Sequence, residues 1–237
     1  MGIFRWCMLV AALLAVMVWM AAAGEGESRA RLTSRWTVEA EYPQTGVQAI
    51  DKRIRTWLEE HINRTVADVV VVSVDPDFDG ENWDMGVTYK MSRPFRRVVS
   101  IVFETYTNPS RAAHPMARVD VLNFDAESGR QLHFEDFFED PGLALEIMSE
   151  NAPRLANEEM KKKLAKEYPE GLAAGDWFME GFNAHPTNYA AMIPEEGGAR
   201  VIFQKYQVLP YVFGMPEVFF PLDMLEAAVP EPALWEK

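Results

Sequence analysis

The 237 residues hold a single cysteine, Cys7, inside an apolar opening segment. Beyond that segment the chain has no thiol. A disulfide, a cysteine nucleophile and a thiolate metal site are all excluded, and core burial is left to stabilise the fold. Histidine is also scarce, with four in the chain. Cations are outnumbered: 23 Lys and Arg against 36 Asp and Glu give a net charge of −13. That balance argues against a nucleic-acid partner and favours basic partners or cations. There is no Gly-x-Ser-x-Gly elbow, no His-Glu-x-x-His helix, no phosphate-cradling glycine loop and no dinucleotide fingerprint. The expected protein is therefore not an enzyme.

What is present begins with a targeting segment. One basic residue, Arg5, precedes an apolar run to Met20, and small residues at Ala21 and Ala23 lead into a polar stretch. This is the layout of a signal peptide over residues 1–23; retained instead, the run is long enough to anchor the chain in a membrane. Either way the remainder is expected to be exported, periplasmic or secreted. Loss of the segment removes one Arg and no acid, leaving −14. Residues 24–237, from a chain 49% hydrophobic and 12% aromatic, suffice for one domain with one good-sized core.

Periodicity predicts an α+β fold: an antiparallel meander sheet with a long N-terminal helix and a central helix packed on it. Trp36, Val38, Ala40 and Tyr42 alternate as an opening strand. Val47, Ile50, Ile54, Trp57, Leu58, Ile62 and Val66 follow at helical spacing, opposite a charged face, with His61 beside the stripe as a structural residue. Residues 69–74 are β-branched and expected to be extended. Strands are predicted over 83–92 and 97–106 with a turn at Arg93, Pro94 and Phe95. A hairpin follows, with Val119 and Val121 on one face, Leu122 and Phe124 on the other, and a Ser128-Gly129 turn. Asp140 is the expected N-cap of the central helix, with Pro141 at its first position and Pro153 kinking or dividing it. Residues 168–194 form an ordered loop region, followed by strands over 199–208 and 217–220, a short helix begun by Asp223, and a tail extended at Pro230 and Pro232.

Three groups of residues invite a functional reading. Asp75, Asp77 and Asp79 before Gly80 start as a calcium loop does, but Gly86 stands where the closing bidentate Glu belongs, and a solvated acidic turn accounts for the same residues. His114, His133 and Glu135 offer nitrogen and oxygen ligands around one hairpin. Against that, Pro follows both His114 and His185, as suits turn residues whose rings bond local backbone. Aromatic residues on loops supply the binding candidates, because large apolar groups there so often anchor interfaces. These are Trp177 and Phe182, as core plugs or as contact surface, and Tyr206 and Tyr211 in the 206–213 bend, together with His114.

The stretch 100–138, with Ala113-His114-Pro115, Asn123-Phe124-Asp125, Ser128-Gly129 and Asp136-Phe137-Phe138 in order, resembles the RsiV-like extracellular domain family, named for an anti-sigma factor. The stretch 199–225 resembles the same family's closing pattern, a Tyr-Val…Pro-Tyr…Gly segment before a strand. The Gly-Gly that precedes the His in that family is replaced here by residues 108–112. The resemblance implies a non-catalytic binding or sensor module of the bacterial cell envelope, with lysozyme or a cell-wall component as its partner and no cofactor. Family relatives also join this domain to a sigma-binding portion or to a peptidoglycan deacetylase domain. Neither is expected here, since five residues precede the apolar run and a short tail follows Val229. An envelope hydrolase using the His and carboxylate residues is the alternative.

Overall fold

A computed structural model describes residues 27–33, 36–72, 83–108, 114–168 and 172–236. Residues 1–23, expected to be a targeting segment, and Asp75, Asp77 and Asp79, expected to form an acidic turn or calcium loop, lie outside the described residues. Among those described, no helix is long and apolar enough to cross a membrane.

The fold is α+β, with two sheets. The first has six strands in sequence order: β1 (Glu27–Thr33), β2 (Trp36–Glu41), β3 (Trp83–Phe95), β4 (Val98–Asn108), β5 (Met116–Asp125) and β6 (Gln131–Leu132). From β3 to β6 it is the expected antiparallel meander. The join of β2 to β3 differs, because those strands run parallel. Between them lies helix α1 (Gln48–Val72), which carries the chain back to the end of the sheet where β2 began, and such a crossover is what a parallel pair requires. The expectation that 69–74 would be extended fails as far as Val72. β-branched residues cost a helix only a few tenths of a kcal/mol each, which the packing of the helix overrides.

Helix α1 seals one face of this sheet. Ile50, Ile54, Leu58 and Ile62 pack on Val38, Ala40, Met85, Val87, Val99, Ile101, Phe103, Leu122 and Phe124. Each such buried side chain contributes roughly 1.5–3 kcal/mol. His61 sits in this layer, its Nε2 2.8 Å from Thr105 Oγ1 and its ring stacked on Trp57, so it is structural as expected. The β3–β4 turn falls at Arg96 and Arg97 rather than at 93–95. A register shift between Ser92 and Phe95 absorbs Pro94 inside the strand, since a bulge dispenses with the N–H that proline lacks.

The opposite face meets the second half of the chain. Helix α2 (Pro141–Lys163) starts at the expected cap, with Leu143 N–H donating to Asp140 Oδ1 at 2.9 Å. It runs unbroken through Pro153, held by Ala144, Met148, Ala152, Ala156 and Met160, buried at every fourth position. Beyond it come short 3-10 turns and a three-stranded antiparallel sheet of β7 (Met192–Glu195), β8 (Gly198–Ile202) and β9 (Glu217–Pro221). β7 was expected to be loop, but Val119 in β5 packs with Ala191, Ile193 and Ile202. Buried Asn123 joins the layers, accepting from Ser100 Oγ and donating to the Met192 carbonyl.

The tail is not extended. Pro232–Trp235 forms a short helix, α3, whose first position suits proline. Trp235 is buried against Phe95 and Phe137, and its indole N–H donates to the Phe137 carbonyl at 3.0 Å.

Candidate binding surface

Among the described residues strand β5 lacks a full partner on its outer side, because β6 pairs only with Asn123 and Phe124. The bend after β8 covers much of the remainder with side chains. Gln204 lays its carboxamide against Val119 as a neighbouring peptide would: Val119 N–H donates to Gln204 Oε1 at 3.1 Å, and Gln204 Nε2 donates to the Val119 carbonyl at 2.7 Å. Further along, the Tyr211 hydroxyl donates to the Pro115 carbonyl at 2.6 Å.

This docking brings His114, Tyr206 and Tyr211 together. The His114 ring stacks on Tyr211 with centroids 3.8 Å apart, and Lys205 Nζ lies 3.7 Å from the Tyr211 centroid. Two groups at that distance cannot share one face of a ring, so Tyr211 is sandwiched between an imidazole and an ammonium. His114 Nδ1 is 3.2 Å from the Pro115 carbonyl, a group that can only accept. Its Nε2 lies 3.3 Å from the Tyr206 hydroxyl.

Tyr206 is the unusual member. Gln207 N–H donates to the Gln204 carbonyl, closing a tight turn, and Tyr206 occupies its third position at φ 64°. Glycine or asparagine normally fills that place in a type II turn, because a β-carbon crowds the backbone there. Tyr206 is nonetheless 55% exposed, so core packing does not account for its being there. The turn is firmly anchored. Phe203, Val208 and Leu209 are buried on either side of it. Gln207 Nε2 donates to the carbonyls of Gly181 and Asn188. A β-carbon on Gly181 would lie 2.0 Å from the Gln207 carbonyl oxygen, so only glycine permits that approach. The outcome is an aromatic and imidazole platform with Tyr206 exposed and His114 and Tyr211 half-buried, and Met116 and Val212, the residues after Pro115 and Tyr211, are exposed too.

The remaining candidates go elsewhere. Phe182 is 2% exposed and packs edge-on to Phe203, while half-buried Trp177 leans on Phe182, so this pair serves as core plugs. His133 and Glu135 stand beside β6, about 26 Å along β5 from His114 at 3.3 Å per residue, too far to share an ion. Among the described residues no three His, Cys, Asp or Glu side chains converge as metal ligands. His185 bonds locally, its Nδ1 2.8 Å from Thr187 Oγ1. Sequence reasoning missed Gln204 and Lys205. One signal was available: residues 105–119 and 197–216 contain no Asp or Glu in a chain that has 36.

The architecture is α+β, with α1 on one face of the first sheet and the second half of the chain on the other, and comparison with known proteins gives it relatives. Residues 135–223 match a family model described as "Protein of unknown function (DUF3298)". The matched span takes in Tyr206 and Tyr211 and begins after His114. A crystal structure of a DUF3298 family protein from Pseudomonas aeruginosa PAO1 is similar with a TM-score of 0.56 and 17% identity, covering 85% of this chain and 87% of that one. A DUF3298 family member from Bacteroides fragilis NCTC 9343 is similar with a TM-score of 0.53 and 12% identity, covering 88% and 93%. At these identities the likeness is one of fold. No curated protein matches the chain.

Proposed function

We propose that this chain is a non-catalytic binding module of the bacterial cell envelope, exported by its N-terminal segment and anchored if that segment is retained. It recognises a protein or cell-wall partner through Tyr206, His114 and the bend that holds them. The observation carrying this reading is Tyr206, exposed yet kept in a backbone conformation that glycine would adopt without strain. Strain of that kind persists where the surroundings enforce it, and it concentrates at ligand-contacting positions. The resemblance implies lysozyme as a partner, a cell-wall component is the other candidate, and both enter the test.

The experiment is calorimetric titration of the mature domain with lysozyme, and separately with soluble peptidoglycan fragments, at low and physiological salt. Saturable 1:1 heat that survives physiological salt and disappears in Tyr206→Gly supports the reading. Heat that vanishes as salt rises reports only an acidic protein meeting a basic one. Binding unchanged in Tyr206→Gly sinks the platform. One observation favours the hydrolase alternative: a hydroxyl, an imidazole and an orienting carbonyl stand in series from Tyr206 through His114 to Pro115. Turnover of a cell-wall substrate that is lost in His114→Ala would establish it.

A further inference from the structure

Alternation along β5 turns the N–H and C=O of every second residue away from β4. On that outer side Asn123 pairs with Leu132 of β6, and Val119 pairs with the Gln204 carboxamide. Val121, between them, has neither a strand nor a side chain on its outward peptide groups among the described residues. Beside it opens a cleft of about 210 Å³, bounded by Val121, Leu132 and His133 on one side and by Thr187, Ala190 and Met192 on the other.

We propose that this gap is a strand-addition site, at which one residue of an extended peptide from a partner protein pairs with Val121 and places an apolar side chain in the cleft. An unpaired edge donor and acceptor next to a side-chain pocket are the two requirements of this mode: backbone bonds hold the peptide and the pocket selects it. The occupant is read from the neighbouring position. At Val119 the same edge already takes an amide donor and acceptor, supplied by Gln204, so the chemistry it accepts is that of a peptide backbone. The site is distinct from the Tyr206 platform and does not depend on it.

The proposal allows a clean test, because proline can replace a strand residue whose N–H points away from the ladder. Val121→Pro removes the outward donor and keeps the bonds to β4, and Ala190→Trp, at an exposed position, fills the cleft. A random peptide library is selected on the full chain, and the enriched peptides are synthesised with blocked ends and titrated by fluorescence anisotropy. The expected peptides share one apolar residue, the one that enters the cleft. They bind each variant at least tenfold more weakly than wild type, and they slow hydrogen exchange at the Val121 amide at least tenfold. Should Val121→Pro fail to fold by circular dichroism, Ala190→Trp and the exchange measurement decide. Failure of any peptide to enrich, equal affinity for the variants, or unaltered exchange at Val121 overturns the proposal. So does a concentration-dependent dimer that Val121→Pro abolishes, which would show that the edge pairs with a second copy instead.

Discussion

Replacing Tyr206 with glycine separates a packing role from a binding role, because the two predict opposite results. The left-handed conformation costs an ordinary residue about 1–2 kcal/mol, which glycine escapes. Glycine in turn loses about 0.5–1 kcal/mol through the greater freedom of the unfolded chain. The side chain forfeits a long surface hydrogen bond to His114 and a tilted contact with Tyr211 at 5.7 Å, together on the order of 1 kcal/mol. These contributions nearly cancel. The melting temperature of Tyr206→Gly should therefore stay within about 3 °C of wild type. Tyr206→Ala keeps the strain and loses the same contacts, so it should be less stable than the glycine variant by about 1 kcal/mol. An aromatic anchor in an interface is worth about 2 kcal/mol or more, so partner affinity should fall at least about thirtyfold in both variants. Thermal denaturation and calorimetric titration of the three proteins read both effects. If Tyr206→Gly is destabilised by about 3 kcal/mol while affinity is unchanged, Tyr206 is a packing residue and the argument from its backbone fails.

Gln204→Ala should cost about 1–3 kcal/mol by denaturant titration, for two lost hydrogen bonds, and should raise self-association in light scattering because the β5 edge is bared at Val119. Burial lowers the pKa of His61, with Arg118 and Arg64 adding to the effect and Asp120 opposing it. The unfolded chain therefore takes up this proton first, and stability should fall as pH drops below about 6.5, a component absent from His61→Gln in melts across pH. Burial works to raise the pKa of Asp125, but the Ser128 and Glu127 N–H groups and the Arg97 guanidinium outweigh it and hold that pKa low. Its contribution is present at neutral pH and is lost as pH falls through the ordinary carboxylate range toward the lower folded value, so Asp125→Asn should flatten that part of the curve. Trp235→Ala should lose about 3–5 kcal/mol, visible as a drop on the order of 10 °C in melting temperature. If Asp75, Asp77 and Asp79 hold calcium, moving from chelator to millimolar calcium raises the melting temperature; an unchanged value removes calcium from the account.

The sequence was most legible where one physical signal acted alone. The stripe from Ile50 to Ile62, the alternation in β3 to β5 and the Asp140-Pro141 helix start are local patterns, and each is found in place. It was least legible where tertiary contact overrides local preference. The β-branched residues up to Val72 stay helical, β7 is a strand because the first sheet lies beneath it, and the prolines of the tail begin a turn that buries Trp235. The site divides along the same line. His114, Tyr206 and Tyr211 stood out as aromatic or imidazole groups on loops, but 92 positions separate His114 from Tyr206 and no local pattern joins them. Gln204 stands out only through the acid-free stretch around it, since a glutamine that finishes a sheet edge otherwise looks like any surface glutamine.

Strand β4 places consecutive side chains in different cores. Val99 belongs to the layer sealed by α1, whereas Val98 packs with Phe137, Met148 and Trp235 of the second half. Neither half can come apart without uncovering one face of a strand that the other half needs intact. This sharing of β4 predicts one unfolding transition, in which probes of α1 and of α2 report the same midpoint. A weakness in either layer is thereby felt by both.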